Sequence, residues 1–326
     1  MKKLKTNYLG LELNSPLIMS SSGLSKTVSN IKLAEENGIG AVVLKSLFEE
    51  QIIFETNKAI SQSIDYPEAA DYIKNYSRHN SVNEYLELIK QAKRTVKIPI
   101  IASINCATDV EWEDFTKNIE KAGADALELN INVSPFDTSL SSAQIEEKYF
   151  NIISQVKQNT KLKFAIKIGN NFTNLPHFIQ QMSFRGVNTF VLFNKFYEPI
   201  IDINKLELTH SAAMSSENDI KHSLRWVAII KGLLPDVEIS ASTGIHSADT
   251  AIQQLLAGAT TVQVCSVLYK RGMKEIQTIN NDIIKWMDKN SYESVNDYIG
   301  KLSYANIKDK QSYERFQFIK HFTSIE

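Results

Sequence analysis

The sequence predicts an α/β fold, a (β/α)8 barrel, on three observations. Eight short apolar runs recur along the chain, each followed by a stretch of helical pattern. No shift in composition divides the chain, so 1–326 reads as a single domain. Small or polar residues stand where the runs end, and in a barrel of parallel strands that end carries the chemistry. The alternative, an open doubly wound sheet, needs a Gly-rich turn after the first strand, and Ser20-Ser21-Ser22-Gly23 matches that poorly.

The elements follow in order. Residues 3–14 read as a hairpin turning at Leu9-Gly10, placed to plug the barrel floor. Pro16-Leu17-Ile18-Met19 is the first strand; Ser25 or Ser29 caps the next helix, which stops at Asn37-Gly38. Ala41-Val42-Val43-Leu44 is the second strand. Residues 47–80 are long, polar and aromatic, and read as a working loop or lid before a helix over 81–96. The third strand spans 98–104, followed by a helix that Asp109 opens and Gly123 closes. The fourth strand is the alternating run Ala126, Leu127, Leu129, Ile131, Val133. A helix over 142–158 leads to the fifth strand, 163–168, and a helix over 174–184 to the sixth, 188–193. A second irregular insertion covers 198–218, over the mouth like the first. A helix over 219–233, a strand over 237–241, a helix capped by Ser247 or Asp249, and the strand Thr261-Val262-Gln263-Val264 complete the eight. A long helix over 273–289 and a tail, helical and then irregular, end the chain.

Composition narrows the function. Apolar residues are 43% of 326 and charged residues 22%, an ordinary globular balance. A net charge of −1 gives no electrostatic case for nucleic acid or an anionic membrane. Cys106 and Cys265 form neither a disulfide framework nor a cluster-ligand set, and the six histidines lack metal-ligand spacing. No run is long enough for a signal peptide or a membrane span, so the expectation is a cytoplasmic protein with no metal.

In a barrel the strand ends converge. They bring together Ser21, Ser22 and Gly23; Lys45 and Ser46; Asn105; Asn130 and Asn132; Lys167; Asn194; Ser242, Thr243 and Gly244; and Cys265 and Ser266. Taken alone, Asn130 to Pro135 is a strand running into an Asx/Ser turn. In this company, two carboxamides can hold a planar polar ligand, and the hydroxyl of Ser134 can exchange a proton. The turns after the last two strands suit a phosphate, since small residues let an anion approach the backbone N–H groups. Lys167, on an apolar strand, wants a fixed anionic or strongly polar partner. Lys45 follows the same logic. The cysteines read as small buried residues.

The chain resembles the dihydroorotate dehydrogenase family of FMN enzymes from its hairpin to about residue 300. The resemblance rests on Asn14-Ser15-Pro16-Leu17, Ser21-Ser22-Gly23, Val43-Leu44-Lys45-Ser46, Glu128-Leu129-Asn130, Ala165-Ile166-Lys167, Ser242-Thr243-Gly244-Ile245 and Gly258 to Val264. It implies FMN at the strand ends, with Ser242, Thr243, Gly244, Cys265 and Ser266 on its phosphate. It implies Lys167 beside the flavin N1–C2=O edge, where charge builds on reduction. Ser21, Ser22, Gly23, Lys45, Ser46, Asn105 and Asn130 would line the isoalloxazine and ribityl chain. Lys45, Asn130, Asn132 and Asn194 would face the substrate. The implied reaction is dihydroorotate to orotate in pyrimidine biosynthesis, a base taking a proton as hydride goes to flavin N5. The family places that base before a proline, and Ser134-Pro135 is the nearest match; holding Glu128-Leu129-Asn130 in line puts Val133 there instead.

The departures leave rivals open. The Asn-x-x-Gly-x-x-Asn pattern of the family's second loop is missing, Tyr66-Pro67-Glu68 standing nearby. The family's Asn-Ser or Asn-Thr after strand six is Asn194-Lys195, followed by Phe196-Tyr197-Glu198-Pro199. A dihydropyrimidine dehydrogenase, a non-catalytic flavin relay, or a flavin-free phosphate-binding barrel would share much of this pattern. The chain shows no N-terminal membrane-associating helix of the kind quinone-using members carry, which points to the soluble branch, a homodimer or a chain that borrows a partner's electron carrier, with the homodimer expected.

Overall fold

The computed structural model describes residues 2–48, 67–106, 112–195, 199–210 and 213–314. Strands β1 (Thr6–Tyr8) and β2 (Leu11–Leu13) form an antiparallel hairpin. Its turn needs two left-handed residues, and Leu9 and Gly10 supply them with φ of 54° and 74°. Then come β3 (Leu17–Met19), α1 (Val28–Glu36), β4 (Ala41–Val43), the two-residue β5 (Leu47–Phe48) and α2 (Pro67–Thr95). They are followed by β6 (Ile100–Cys106), α3 (Trp112–Ala122), β7 (Ala126–Ile131), α4 (Ser142–Asn159), β8 (Phe164–Ile168), α5 (Leu175–Phe184) and β9 (Thr189–Leu192). A second hairpin, β10 (Pro199–Asp202) and β11 (Glu207–His210), precedes α6 (Ile220–Leu233) and β12 (Glu238–Ser242). The series ends with α7 (Ala248–Ala257), β13 (Thr261–Val264), α8 (Ser266–Arg271), α9 (Glu275–Lys289) and α10 (Gln311–Glu314).

Eight parallel strands run β4-β3-β13-β12-β9-β8-β7-β6, and pairing of β4 with β6 closes the barrel. Period two then sorts each strand. Leu127, Leu129 and Ile131 face the helices and join the large core, as do Ile166, Phe190, Ile239 and Val262. The opposite parity fills the barrel. Ile18, Val43, Ile101, Ala126, Ala165 and Val191 form a separate apolar cluster with Tyr8, Leu9 and Leu13 of the first hairpin. The hairpin therefore plugs the floor, and the next inward layer upward is polar.

Several expectations need correction. Thr27, not Ser25 or Ser29, caps α1, because a 3-10 turn at Gly23–Lys26, capped by Ser22, comes first. The first insertion is not loop throughout: α2 begins at Pro67, a residue suited to the first helical turn, so 67–80 belongs to the helix. Residues 49–66, which hold the rest of that insertion, and Asp109 lie outside the described residues. The second insertion is not irregular, since cross-strand pairing over Pro199–Asp202 and Glu207–His210 makes a hairpin. The long helix expected over 273–289 is α9, and a further short helix, α8, precedes it and ends at Gly272 with φ 80°. The tail after Tyr292 is turns and a single 3-10 turn at Val295–Asp297 rather than a helix, until α10.

Candidate active site

The polar layer of the barrel centres on a buried lysine. Lys167 points inward from β8 and is 6% exposed; Glu128, inward from β7, is 1% exposed. Lys167 Nζ stands 3.6 Å from Glu128 Oε1 and donates to Ser20 Oγ at 3.3 Å and Gln263 Oε1 at 3.4 Å. Gln263 Nε2 donates to Glu128 Oε2 at 2.6 Å, and Ser20 Oγ donates to Gln263 Oε1 at 2.9 Å. Lys167 has thus found the anionic partner that its burial demands. Register explains the meeting: Asn130 pairs with Lys167 across β7 and β8, so Glu128 sits one inward position below the lysine. The charge of Glu128 reaches further. After burial itself, it is among the groups that raise the hydroxyl pKa of Tyr8 and Tyr85.

Above Lys167 a cavity opens to solvent. It gathers Ser21, Lys167, Asn194, Ser242, Thr243, Gly244, Cys265 and Ser266 from the predicted set. Ser46 joins through Ser21: its N–H donates to Ser21 Oγ at 2.8 Å, and its own hydroxyl lies 2.7 Å from that of Ser103. Asn130 joins through Asn194, which donates to its Oδ1 at 3.2 Å; Asn105 lies beside Asn130 in register.

The two turns are tight and made of small residues. Thr243 and Gly244 are both left-handed, with φ of 75° and 86°. A Cβ at Gly244 would come 2.3 Å from Ile220 N, so only glycine lets the turn pack under α6. Thr243 Oγ1 donates to Phe193 O at 3.1 Å, tying the turn to the end of β9. Cys265 is the N-cap residue of α8, and burial pushes its thiol pKa up, against the opposing pull of Ser22 and Lys167. A thiol so placed acts as a small neutral residue. Gly23 borders the same region, where a Cβ would meet Tyr269 Oη at 2.7 Å.

Other predicted residues stand apart. Asn132 lines a neighbouring groove with Val133, Pro135, Tyr149, Asn171 and Phe172. Ser134 is exposed on the loop after β7, between half-buried Val133 and exposed Pro135, and does not line the Lys167 cavity. Lys45 is half-buried just beyond β4. The side chain of Cys106, and residues 196–198, lie outside the described residues.

Four participants escaped the sequence reading. Glu128 and Gln263 could have been found, since each is a polar residue on the inward parity of its strand. Ser215 and His246 could not, because only the path of the chain after the second hairpin seats them here. Ser215 Oγ lies 2.9 Å from His246 Nε2, Ser215 N donates to Ser266 Oγ at 2.9 Å, and Lys270 Nζ donates to Ser215 O at 2.8 Å. The segment is thereby pinned across the two turns. Burial lowers the His246 pKa, assisted by Lys270 and Arg271 and opposed by Glu217 and Asp219.

A buried cation facing turns rich in backbone N–H groups and hydroxyls is a chemical fit for a phosphorylated ligand whose far end gains negative charge. No group of three or more metal-ligating side chains occurs among the described residues, and no helix among them is long and apolar enough to cross a membrane.

Comparison with known proteins identifies the family of the chain. The dihydroorotate dehydrogenase family model matches residues 3–287. A dihydroorotate dehydrogenase B (NAD(+)) catalytic subunit from Methanocaldococcus jannaschii is 26% identical, covering 87% of this chain and 93% of that protein. Proteins of the same name from Thermoplasma volcanium and Pyrococcus horikoshii are each 25% identical over 92% of this chain, covering 98% and 97% of their own lengths.

Proposed function

The chain belongs to the dihydroorotate dehydrogenase family, flavoprotein oxidoreductases acting on a CH–CH group, and we propose that it binds FMN and oxidises dihydroorotate to orotate. The observation that carries this reading is the ion-paired Lys167 beneath the cavity, opposite the turns after β12 and β13. Backbone N–H groups of Thr243, Gly244 and Ser266, with the hydroxyls of Ser242 and Ser266, would hold the FMN phosphate. Lys167 would hold the N1–C2=O edge. Ser21, Ser22, Gly23, Lys45, Ser46, Asn105 and Asn130 would line the ring and ribityl chain. When bound, FMN supplies the hydride acceptor at its N5.

The protein's own work is then positioning, charge and one proton. Asn130 and Asn194, joined by their hydrogen bond, present a fixed carboxamide pair to the planar substrate. Lys45 and Asn132 would complete the substrate contacts from the rim. Ser134 would take the substrate proton, which requires its loop to fold inward over the mouth and exclude water. Apo geometry of this kind does not disqualify a base that tightens only around its ligand.

The same reading makes the protein a cytoplasmic homodimer. On one face of the β10–β11 ribbon Ile201 pairs with Leu208, and both are exposed, as are Ile203 and Leu206 of the turn between the strands. A two-stranded ribbon with a bare aliphatic face gains stability by covering it.

The test is a visible spectrum of the purified protein after reconstitution with FMN, before and after anaerobic dihydroorotate. Flavin absorbance that bleaches is the expected result. No flavin uptake would overturn the cofactor. Flavin that dihydrouracil bleaches and dihydroorotate does not would reassign the substrate to a dihydropyrimidine.

A further inference from the structure

The barrel interior holds a carboxylate that the proposed reaction leaves without a task. Glu128 projects inward from the middle of β7, where an unpaired charge is costly. Gln263 Nε2 holds its Oε2 at 2.6 Å, which turns the amide oxygen of Gln263 toward Lys167 and Ser20. The contacts of Lys167 are 3.3, 3.4 and 3.6 Å, all longer than the roughly 2.7–2.9 Å of a tight charge-assisted bond. The ammonium is therefore held by charge without being locked by a short bond. Glu128 lies on its inner side and the cavity on its outer side, so the carboxylate subtracts from the field that the cavity feels.

We propose that Glu128, oriented by Gln263, is a positioning residue that sets how strongly Lys167 stabilises negative charge in the cavity, and thereby the reduction potential of flavin bound there. The proposal rests on the flavin reading above. Glu128→Gln keeps the shape and removes the charge, leaving the cation stronger toward the cavity. The reduced flavin is then favoured and its potential rises. Without Lys167 there is no cation whose field the carboxylate can offset. In that background Glu128→Gln changes nothing.

The experiment is spectroelectrochemical titration of four FMN-reconstituted proteins: wild type, Glu128→Gln, Lys167→Met and the double variant. Glu128→Gln is expected to favour reduction at least tenfold, about 30 mV upward for a two-electron couple. Lys167→Met is expected to lower the potential, and the double variant to match it. A Glu128→Gln potential at or below wild type overturns the proposal. So does an equal upward shift in both backgrounds, because the effect would then bypass Lys167. Should wild type take up no FMN, the flavin reading itself fails; FMN uptake with a flat Glu128→Gln response sinks this inference alone. If Glu128→Gln does not fold, wild type labelled with 13C-glutamate answers the question by redox infrared difference spectroscopy. A carboxylate band that shifts on reduction, and is missing in Lys167→Met, supports the proposal; no such band overturns it.

Discussion

Removing the cation of the Lys167–Glu128 pair should destabilise the apoprotein, and removing both charges should restore most of the loss. At 3.6 Å and an effective dielectric constant of about 20, the attraction is roughly 4–5 kcal/mol. Desolvation of two nearly inaccessible ions offsets much of that, so the pair as a pair is close to neutral for stability. Lys167→Met leaves Glu128 buried alone, a change that typically costs about 3–5 kcal/mol. The unfolding entropy of a 326-residue chain, at about 2.1 cal/mol/K per residue, is roughly 0.7 kcal/mol/K. The expected fall in Tm is therefore about 4–7 °C by calorimetry. Lys167→Met combined with Glu128→Leu should recover at least half of it, because an apolar pair of similar volume replaces an ion pair at little cost. A single variant within about 1 °C of wild type would refute the reasoning. So would a double variant whose loss equals the sum of the two single losses, since that would mean the groups do not interact.

Other outcomes follow from the same geometry. Gly244→Ala must place a Cβ against Ile220 N at a left-handed φ, and should cost about 2–4 kcal/mol and weaken FMN binding; calorimetry and flavin-fluorescence titration would read both effects. Ser134→Ala should slow anaerobic flavin reduction by ~10²–10⁴-fold if that residue is the base, and an unchanged rate in stopped flow would retire it. Ile201→Asp should convert the proposed homodimer to a monomer in size-exclusion light scattering, and a monomeric wild type would sink the interface. His246 titrates below the ordinary value of 6.5 in the folded protein, so the folded state binds fewer protons than the unfolded chain in that window. Wild type should accordingly lose stability relative to His246→Gln as pH falls from 7 through that lowered value; parallel pH–Tm profiles would contradict this.

The amino-acid sequence by itself determined the barrel. Apolar runs of strand length, each followed by an amphipathic helix with a readable stop such as Gly258 at φ 128°, are local signals, and the eight strands lie within one or two residues of where those signals put them. The tight turns were legible for the same reason, since Thr243-Gly244 announces a tight left-handed turn within two residues. Lys167 could be seen to need a partner. Which group answered was decided by the barrel: register between β7 and β8 and its closure by β4 and β6 carry Glu128 and Gln263 to the same depth, across 135 residues of chain. The hairpin at Pro199–His210 and the early start of α2 were missed for another reason, since short exposed segments carry weak local preference even where their pairing is local. Neither neighbouring residues nor composition encode which inward-facing side chains meet across a closed sheet, since those meetings are set by hydrogen bonds between strands far apart in sequence.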